Sequence, residues 1–272
     1  MVTDDGKTIQ DVLDRLQQQI DELPPELIKR RIFMAAYRRA TQDVAESIDD
    51  ARFEDLRWVE LWTVRFADVF LAAHDADRMG RSVDVPRPWR LVFAAPNDLP
   101  PAQQLALGLT AHLNYDLPVT LQAIVTKEEF SQPDKLASRR RDFGRVDALL
   151  TSRMAAELTG FGPGTMRNWA VSSVHRLAGQ RWFRAVGNSV WHNTEQLQLA
   201  KSQGEDSYQQ RLAELSVISA AKVAELLAAP QTAMRMVASD FAVRLPPPAI
   251  PERLTSIPER SAGEQLPRQR GP

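Results

Sequence analysis

The sequence predicts an all-α fold, a single helical-bundle-like domain of about seven to nine helices. Three observations carry that expectation. Apolar residues recur at three- and four-residue steps through most of the chain, no stretch of useful length alternates apolar and polar residues, and most prolines and glycines gather between the periodic runs.

The elements follow in order. In TIQDVLDRLQQQIDEL, Ile9, Val12, Leu13, Leu16, Ile20 and Leu23 mark one face of a first helix. Pro24 and Pro25 end it and can open the next, because proline is tolerated in a first turn. A long helix then runs from Glu26 to about Ile48, with Ile28, Ile32, Met34, Ala35 and Ala36 in its apolar set, and a third from about Glu54 to Met79. Between Gly80 and Pro101, five of the chain's 18 prolines mark a long connection holding one short packed piece around Trp89 to Phe93. Helical signal resumes at Gln103 and continues to Pro118, which lacks an N–H and opposes the carbonyl four residues back, so that it kinks or ends the helix. Another helix spans Lys135 to Leu158 and stops at TGFGPGT. MRNWAVSSVHRLAGQRWFRAVGNSVWHNTEQLQLAKS supplies one or two more, and YQQRLAELSVISAAKVAELLAA the last. After Leu245 come seven prolines and few large apolar residues, too little surface to order a chain. The expected division is an all-α domain over residues 1–245 and an extended or disordered tail over 246–272.

Composition narrows the function classes. At 272 residues and 43% hydrophobic, the chain can build a substantial core. A formal net charge of -1 provides no positive field for nucleic acid or anionic lipid. The absence of cysteine removes disulfides, thiolate nucleophiles and Cys-ligated zinc. No membrane span and no signal-like N-terminus are found, so a cytoplasmic protein is expected. No Walker loop, dinucleotide glycine pattern or nucleophile elbow is present, and no nucleotide cofactor is expected. Nothing in the sequence sets the oligomeric state.

One stretch carries chemistry. GLTAHLNYDLPVTL, Gly108 to Leu121, sets three polar groups in an otherwise apolar, helix-like segment. On a helix, residues 105, 108, 109, 112 and 116 share a face, which brings Asp116 one turn from His112. A carboxylate there can hold one imidazole nitrogen, fix the tautomer and raise the basicity of the other nitrogen, as a general base or a metal-bound histidine requires. A buried His–Asp pair that ties one helix to its neighbours has the same spacing. Asn114 points elsewhere on an undistorted helix, and the Pro118 kink would bring it towards the same space as a substrate-binding group. Gly108 leaves room for another helix or for a ligand.

The string GLTAHLNYDLPVTL resembles the most recognisable segment of DUF5995, a family of unknown function whose members carry a Gly-x-x-Ala-His-Ile-Asn-x-Asp-Leu-like run. FEDLRWVELWTVRFADVFLAA, PRPW, RRRDFGRVDALL and VWHNTEQL are similar to other parts of that family, so the likeness touches most of residues 30–200. Two departures stand out: Asp147 where an asparagine is usual, and FADVF in place of a more polar Asn-Arg-Tyr-like string. The family has no established activity. The resemblance therefore places a site at His112, Asn114 and Asp116 and leaves its chemistry open.

Further candidates surround this string. Arg65 falls on the face of Trp58, Leu61, Trp62 and Val69 and needs a carboxylate, either in a structural ion pair or, with Asp68, in a clamp for a substrate anion. Asp142 can supply another carboxylate to the site. His74 stands at what reads as the polar end of its helix. Four histidines are too few for a trinuclear zinc centre, whereas one divalent metal held by His112, Asp116 and carboxylates of other helices is compatible with the residues present. The expectation is an enzyme doing hydrolytic or proton-transfer chemistry on a small, partly apolar molecule, with His112 and Asp116 catalytic and Asn114, Arg65, Asp68 and Asp142 binding substrate. The alternative is a non-catalytic helical binding or scaffold protein in which the His–Asp motif is a buried lock.

Overall fold

The structure, a computed structural model, describes residues 6–160 and 174–240, with the backbone alone for residues 155, 158–160, 174–186 and 229–240. Among the described residues it is all helix, without a strand. The helices are α1 (Ile9–Asp21), α2 (Arg30–Asp49), α3 (Leu56–Arg78), α4 (Arg87–Phe93), α5 (Pro101–Ala111), α6 (Leu117–Ile124), α7 (Lys127–Phe130), α8 (Pro133–Gly160), α9 (Val174–Gln203) and α10 (Glu205–Asp240). A π turn over His112–Asp116 joins α5 to α6; counting that rod once gives nine helices among the described residues. Backbone contacts divide the chain into units of residues 1–229 and 230–272, and the described part of the second is the end of α10. The breaker at residues 161–165 and the proline-rich tail lie outside the described residues.

Local chemistry sets the helix ends. Thr8 caps α1, its hydroxyl accepting from the N–H of Asp11 while the Asp11 carboxylate returns to the Thr8 N–H. A 3-10 turn at Pro25–Leu27 delays α2 to Arg30. That delay corrects the apolar face expected from sequence. Ile28 falls before the helix and is 43% exposed, while Phe33, Met34, Ala36, Tyr37, Ala40 and Val44 go into the core. Asp55 caps α3 by accepting from the Trp58 N–H, and just past its end the chain turns at Gly80, whose φ of +70° is one that glycine adopts without strain.

The core is one large cluster built around α3, which buries Trp58, Val59, Trp62, Phe66, Ala67, Phe70 and Leu71. α2 packs on α1, α3, α5 and α8, and α6 packs on α3 and α9. α4, the short packed piece within the long connection, sets Trp89 into the core at 1% exposure. A smaller cluster of Tyr115, Leu197 and Leu215 joins the π turn to α9 and α10. The α5–π–α6 rod is thus held from both sides, with α2, α3 and α4 against one face and α9 and α10 against the other.

Candidate functional site

The site begins with the π turn. The Leu117 N–H reaches the His112 carbonyl, five residues back. Pro118 has no N–H, so the Asn114 carbonyl lacks its helical donor. Ser219 Oγ of α10 donates to that carbonyl at 3.0 Å. Thr120 Oγ1 donates to the Asp116 carbonyl at 2.8 Å. The perturbation expected from Pro118 is therefore absorbed as a widened turn upstream of the proline, which itself sits in the first turn of α6.

On this turn His112 Nδ1 and Asp116 Oδ2 lie 2.7 Å apart. Trp89 Nε1 donates to the same Oδ2 at 2.8 Å. With Asp116 ionised, Nδ1–H is the donor of the pair and Nε2 keeps its lone pair. The imidazole is enclosed by rings. Phe66 stacks on it at 3.6 Å between centroids with 9° between planes, and Tyr37 meets it edge-on at 4.6 Å. Phe33, Phe70 and Trp89 stand at 5.8, 5.9 and 6.1 Å. His112 is 1% exposed and Asp116 0%.

Four side-chain polar atoms in and near the site have no partner. His112 Nε2, Asp116 Oδ1, Tyr37 Oη and Thr110 Oγ1 are buried without a hydrogen bond. Burial pushes His112 below its ordinary pKa, against the pull of the Asp116 carboxylate, and pushes Asp116 above its own against the bonds from His112 and Trp89. Burial, then the charges of Asp116 and Asp68, drives the Tyr37 phenol well above its usual value. The result is a neutral imidazole whose Nε2 is unprotonated and without a partner in an apolar enclosure.

The other sequence candidates go elsewhere. Asn114 turns towards α10: its Nδ2 donates to the Thr110 carbonyl at 2.8 Å and its Oδ1 accepts from Lys222 Nζ at 2.6 Å. Asp68 pairs with Lys7 at 3.0 Å and with Arg15 at 3.4 Å, tying α1 to α3. Arg65 is half-buried on α3. Asp142, fully buried on α8, accepts from the N–H groups of Glu54 and Asp55 at 2.8 and 2.9 Å and from Arg145 at 2.6 Å, which fixes the entry to α3. His74, expected at a polar helix end, is 0% exposed and lies beside Phe70 and Phe93. Gly108 serves a helix: the Phe33 ring of α2 lies against it.

Sequence reasoning missed Tyr37 and Phe66 as contacts of His112. The available signal was the four-residue spacing of Phe33 and Tyr37 on one helix and of Phe66 and Phe70 on the next. Among the described residues no group of three or more His, Asp or Glu side chains is placed to hold a metal ion. In the dyad, Nδ1 and Oδ2 are turned to each other, which leaves Nε2 and Oδ1 as its remaining donor atoms.

Fold and site together define an all-α protein with a carboxylate–imidazole pair sealed in an aromatic enclosure at a π turn. The chain belongs to DUF5995, a family of unknown function, which matches residues 9–230. No curated protein and no solved structure matches it. No helix among the described residues is long and apolar enough to cross a membrane.

Proposed function

We propose that this protein is an enzyme that performs hydrolytic or proton-transfer chemistry on a small, partly apolar molecule, with His112 Nε2 as the general base. Asp116 is the positioning residue that orients the imidazole, and Trp89 holds the Asp116 carboxylate in turn. The observation that carries this reading is the pattern of unpartnered atoms. The bonds of the His112–Asp116–Trp89 chain use Nδ1, Oδ2 and the indole N–H, while Nε2, Asp116 Oδ1 and the nearby Tyr37 Oη are buried without partners. Buried polar groups are nearly always satisfied, and exceptions need a reason such as catalysis or a bound molecule. A base also needs this charge state: burial keeps the imidazole neutral, and the carboxylate at Nδ1 stabilises the imidazolium formed on proton transfer. Access requires one ring of the enclosure to turn. Phe33, Phe70 and Trp89 also line an open cleft between α2, α3 and α4, and this is the side from which the proposed substrate would approach His112.

A second reading, a non-catalytic helical binding or scaffold protein with the motif as a polar lock, is favoured by the near-complete burial of both side chains. The two are separated by His112→Gln and Asp116→Asn. Denaturant melts of each are read beside native mass spectrometry of the purified protein for co-purifying small molecules. Under the catalytic reading His112→Gln keeps the wild-type stability to within about 1 kcal/mol or gains some, as active-site substitutions often do. A loss of about 3 kcal/mol or more in both variants, with no bound molecule in the wild type, refutes it in favour of the lock.

A further inference from the structure

α8 and α9 leave an open cleft of about 480 Å³ between them. From α8 it is lined by Arg140, Phe143 and Asp147, whose three- and four-residue steps put them on the face that the helix turns towards α9. Contacts of the first two fix that direction. Arg140 pairs with Glu195 of α9, and its guanidinium carbon lies 5.3 Å from the centre of the Trp191 ring. The Phe143 ring meets Trp191 edge-on at 5.6 Å. Gly187, where a built Cβ would fall 3.6 Å from the Phe143 ring, brings no side chain to fill the space.

Two carboxylates line this cleft. Glu195 is held by Arg140, whereas no hydrogen bond or ion pair reaches Asp147 from any described residue. Asp147 is half-buried, and burial alone, with no neighbouring charge acting on it, pushes its pKa up to about 6. At pH 7 it is therefore still ionised. His192 is the other ionisable group of the lining; counted with a neutral imidazole, and with Arg140 cancelled by Glu195, the cleft carries one negative charge, seated on Asp147. The nearby arginines of α8 supply no counter-ion. Arg139 is bound by Asp55 and Glu129, Arg141 by Glu54, and Arg145 by Glu54 and Asp142.

A partly desolvated carboxylate without a cation, in a cleft wide enough for a small molecule, calls for a positively charged ligand. A metal ion needs several ligands, and among the described residues no group of three or more His, Asp or Glu side chains is placed to hold one. An ammonium group needs one carboxylate and a polar neighbour, and Asn188, exposed on α9, offers an amide carbonyl in the same lining. Phe143 and Trp191 provide the apolar part of the wall.

We propose that this cleft binds a small organic amine, whose ammonium group donates to the Asp147 carboxylate while its apolar body lies along Phe143 and Trp191. None of these residues belongs to the rings around His112, so the site is independent of the reading of His112 as a base.

The test is titration calorimetry of the full chain at pH 7 with benzylamine and butylamine, with benzyl alcohol as the neutral control and calcium chloride as the metal control. Both amines bind saturably, and neither control does. Asp147→Asn keeps the size of the side chain, removes its charge and weakens benzylamine by about tenfold or more, with melting curves confirming that the variant is folded. Between pH 7 and pH 5 the wild type loses about tenfold in benzylamine affinity, because the carboxylate takes up a proton while the amine keeps its own. His192→Gln shows the same loss. Absence of saturable amine binding by the wild type, unchanged binding by folded Asp147→Asn, benzyl alcohol or calcium binding as tightly as benzylamine, or a pH dependence that vanishes in His192→Gln overturns the proposal.

Discussion

Gly108→Ala should destabilise the fold, although helix propensity alone says the reverse. Gly108 lies inside α5, where alanine gains about 0.5–1 kcal/mol over glycine. A Cβ at this position, however, falls 2.5 Å from Cδ2 and 2.7 Å from Cγ of Phe33, whereas ordinary contact begins near 3.4 Å. The ring must retreat by close to an ångström against the rings packed around it. Phe70, Trp89, Tyr37 and His112 stand 5.0, 5.5, 5.7 and 5.8 Å from its centre. Overpacking of this kind costs about 1–3 kcal/mol, so the net loss is about 1–2 kcal/mol. At about 2–4 °C per kcal/mol for a chain of this size, the melting temperature falls by roughly 2–8 °C. Urea denaturation followed by circular dichroism measures it. Gly144→Ala is the control, since Gly144 lies within α8, is exposed, and has nothing within 4 Å of a built Cβ. That variant should gain about 0.5–1 kcal/mol. Adding Phe33→Leu to Gly108→Ala should recover part of the loss. If Gly108→Ala proves as stabilising as Gly144→Ala, the close packing of Phe33 on α5 is wrong, and with it the sealed enclosure around His112.

Other outcomes follow from single contacts. Asp142→Ala removes the acceptor for two backbone N–H groups ahead of α3 and should cost about 3 kcal/mol in a denaturant melt; a loss below about 1 kcal/mol would mean that water replaces the carboxylate. Trp89→Phe removes one of the two donors to Asp116 Oδ2 and should cost about 1–3 kcal/mol while raising the Asp116 pKa further, which carboxyl-carbon NMR can follow. The pKa of His74, held at about 4 against an ordinary 6.5, makes the unfolded state bind more protons between those values. Stability from this residue is thus complete above pH 6.5 and lost by up to about 3 kcal/mol as pH falls towards 4, and His74→Leu should flatten that part of the stability–pH curve. Asp147, half-buried between α8 and α9 and pushed up to about 6 by burial, has the opposite sign: its contribution weakens as pH rises from 3.8 through 6. Asp147→Asn should therefore stabilise the protein at pH 7 and not at pH 3.5; a variant less stable at pH 7 would show that the carboxylate has a partner.

The helices were legible because periodicity reports burial directly. α1 buries Val12, Leu13, Leu16 and Ile20, all from the apolar set its spacing indicates. α2 was harder, since its face depends on where the helix starts, and the 3-10 turn after Pro24 moves that start to Arg30. His74 misled for a related reason. A polar residue four positions before a helix end suggests solvent, but α4 returns over it and brings Phe93 to 6.1 Å. The meeting of His112 with Asp116 needed only four-residue spacing, and it occurs on the π turn. The third member was beyond such reasoning: Trp89 stands 27 residues away and reaches Asp116 only because α4 packs on α5. Asp68 and Asp142 illustrate the same gap, since spacing places a carboxylate on a helix but does not say whether a lysine, a backbone N–H or a ligand will claim it.

The π turn links these observations to function. An α-helical register through residues 112–116 would require Pro118 to donate an N–H it does not have, so some rearrangement upstream is forced by the sequence. That rearrangement leaves the Asn114 carbonyl free for Ser219, while the Asn114 side chain accepts from Lys222, and α10 is thereby fastened to the back of the turn. The front of the turn carries His112 and Asp116 into the aromatic enclosure. The back is thus tied by two bonds to α10, and the front keeps the unpartnered atoms Nε2 and Oδ1. If the only task were to join helices, the bonds at the back already do it, and apolar side chains at 112 and 116, with phenylalanine at 89 in place of the Trp89 donor to Asp116, would fill the enclosure without buried polar atoms. Keeping an ionisable pair there has a stability cost, and the proposed role of Nε2 as a base is the reading under which that cost has a purpose.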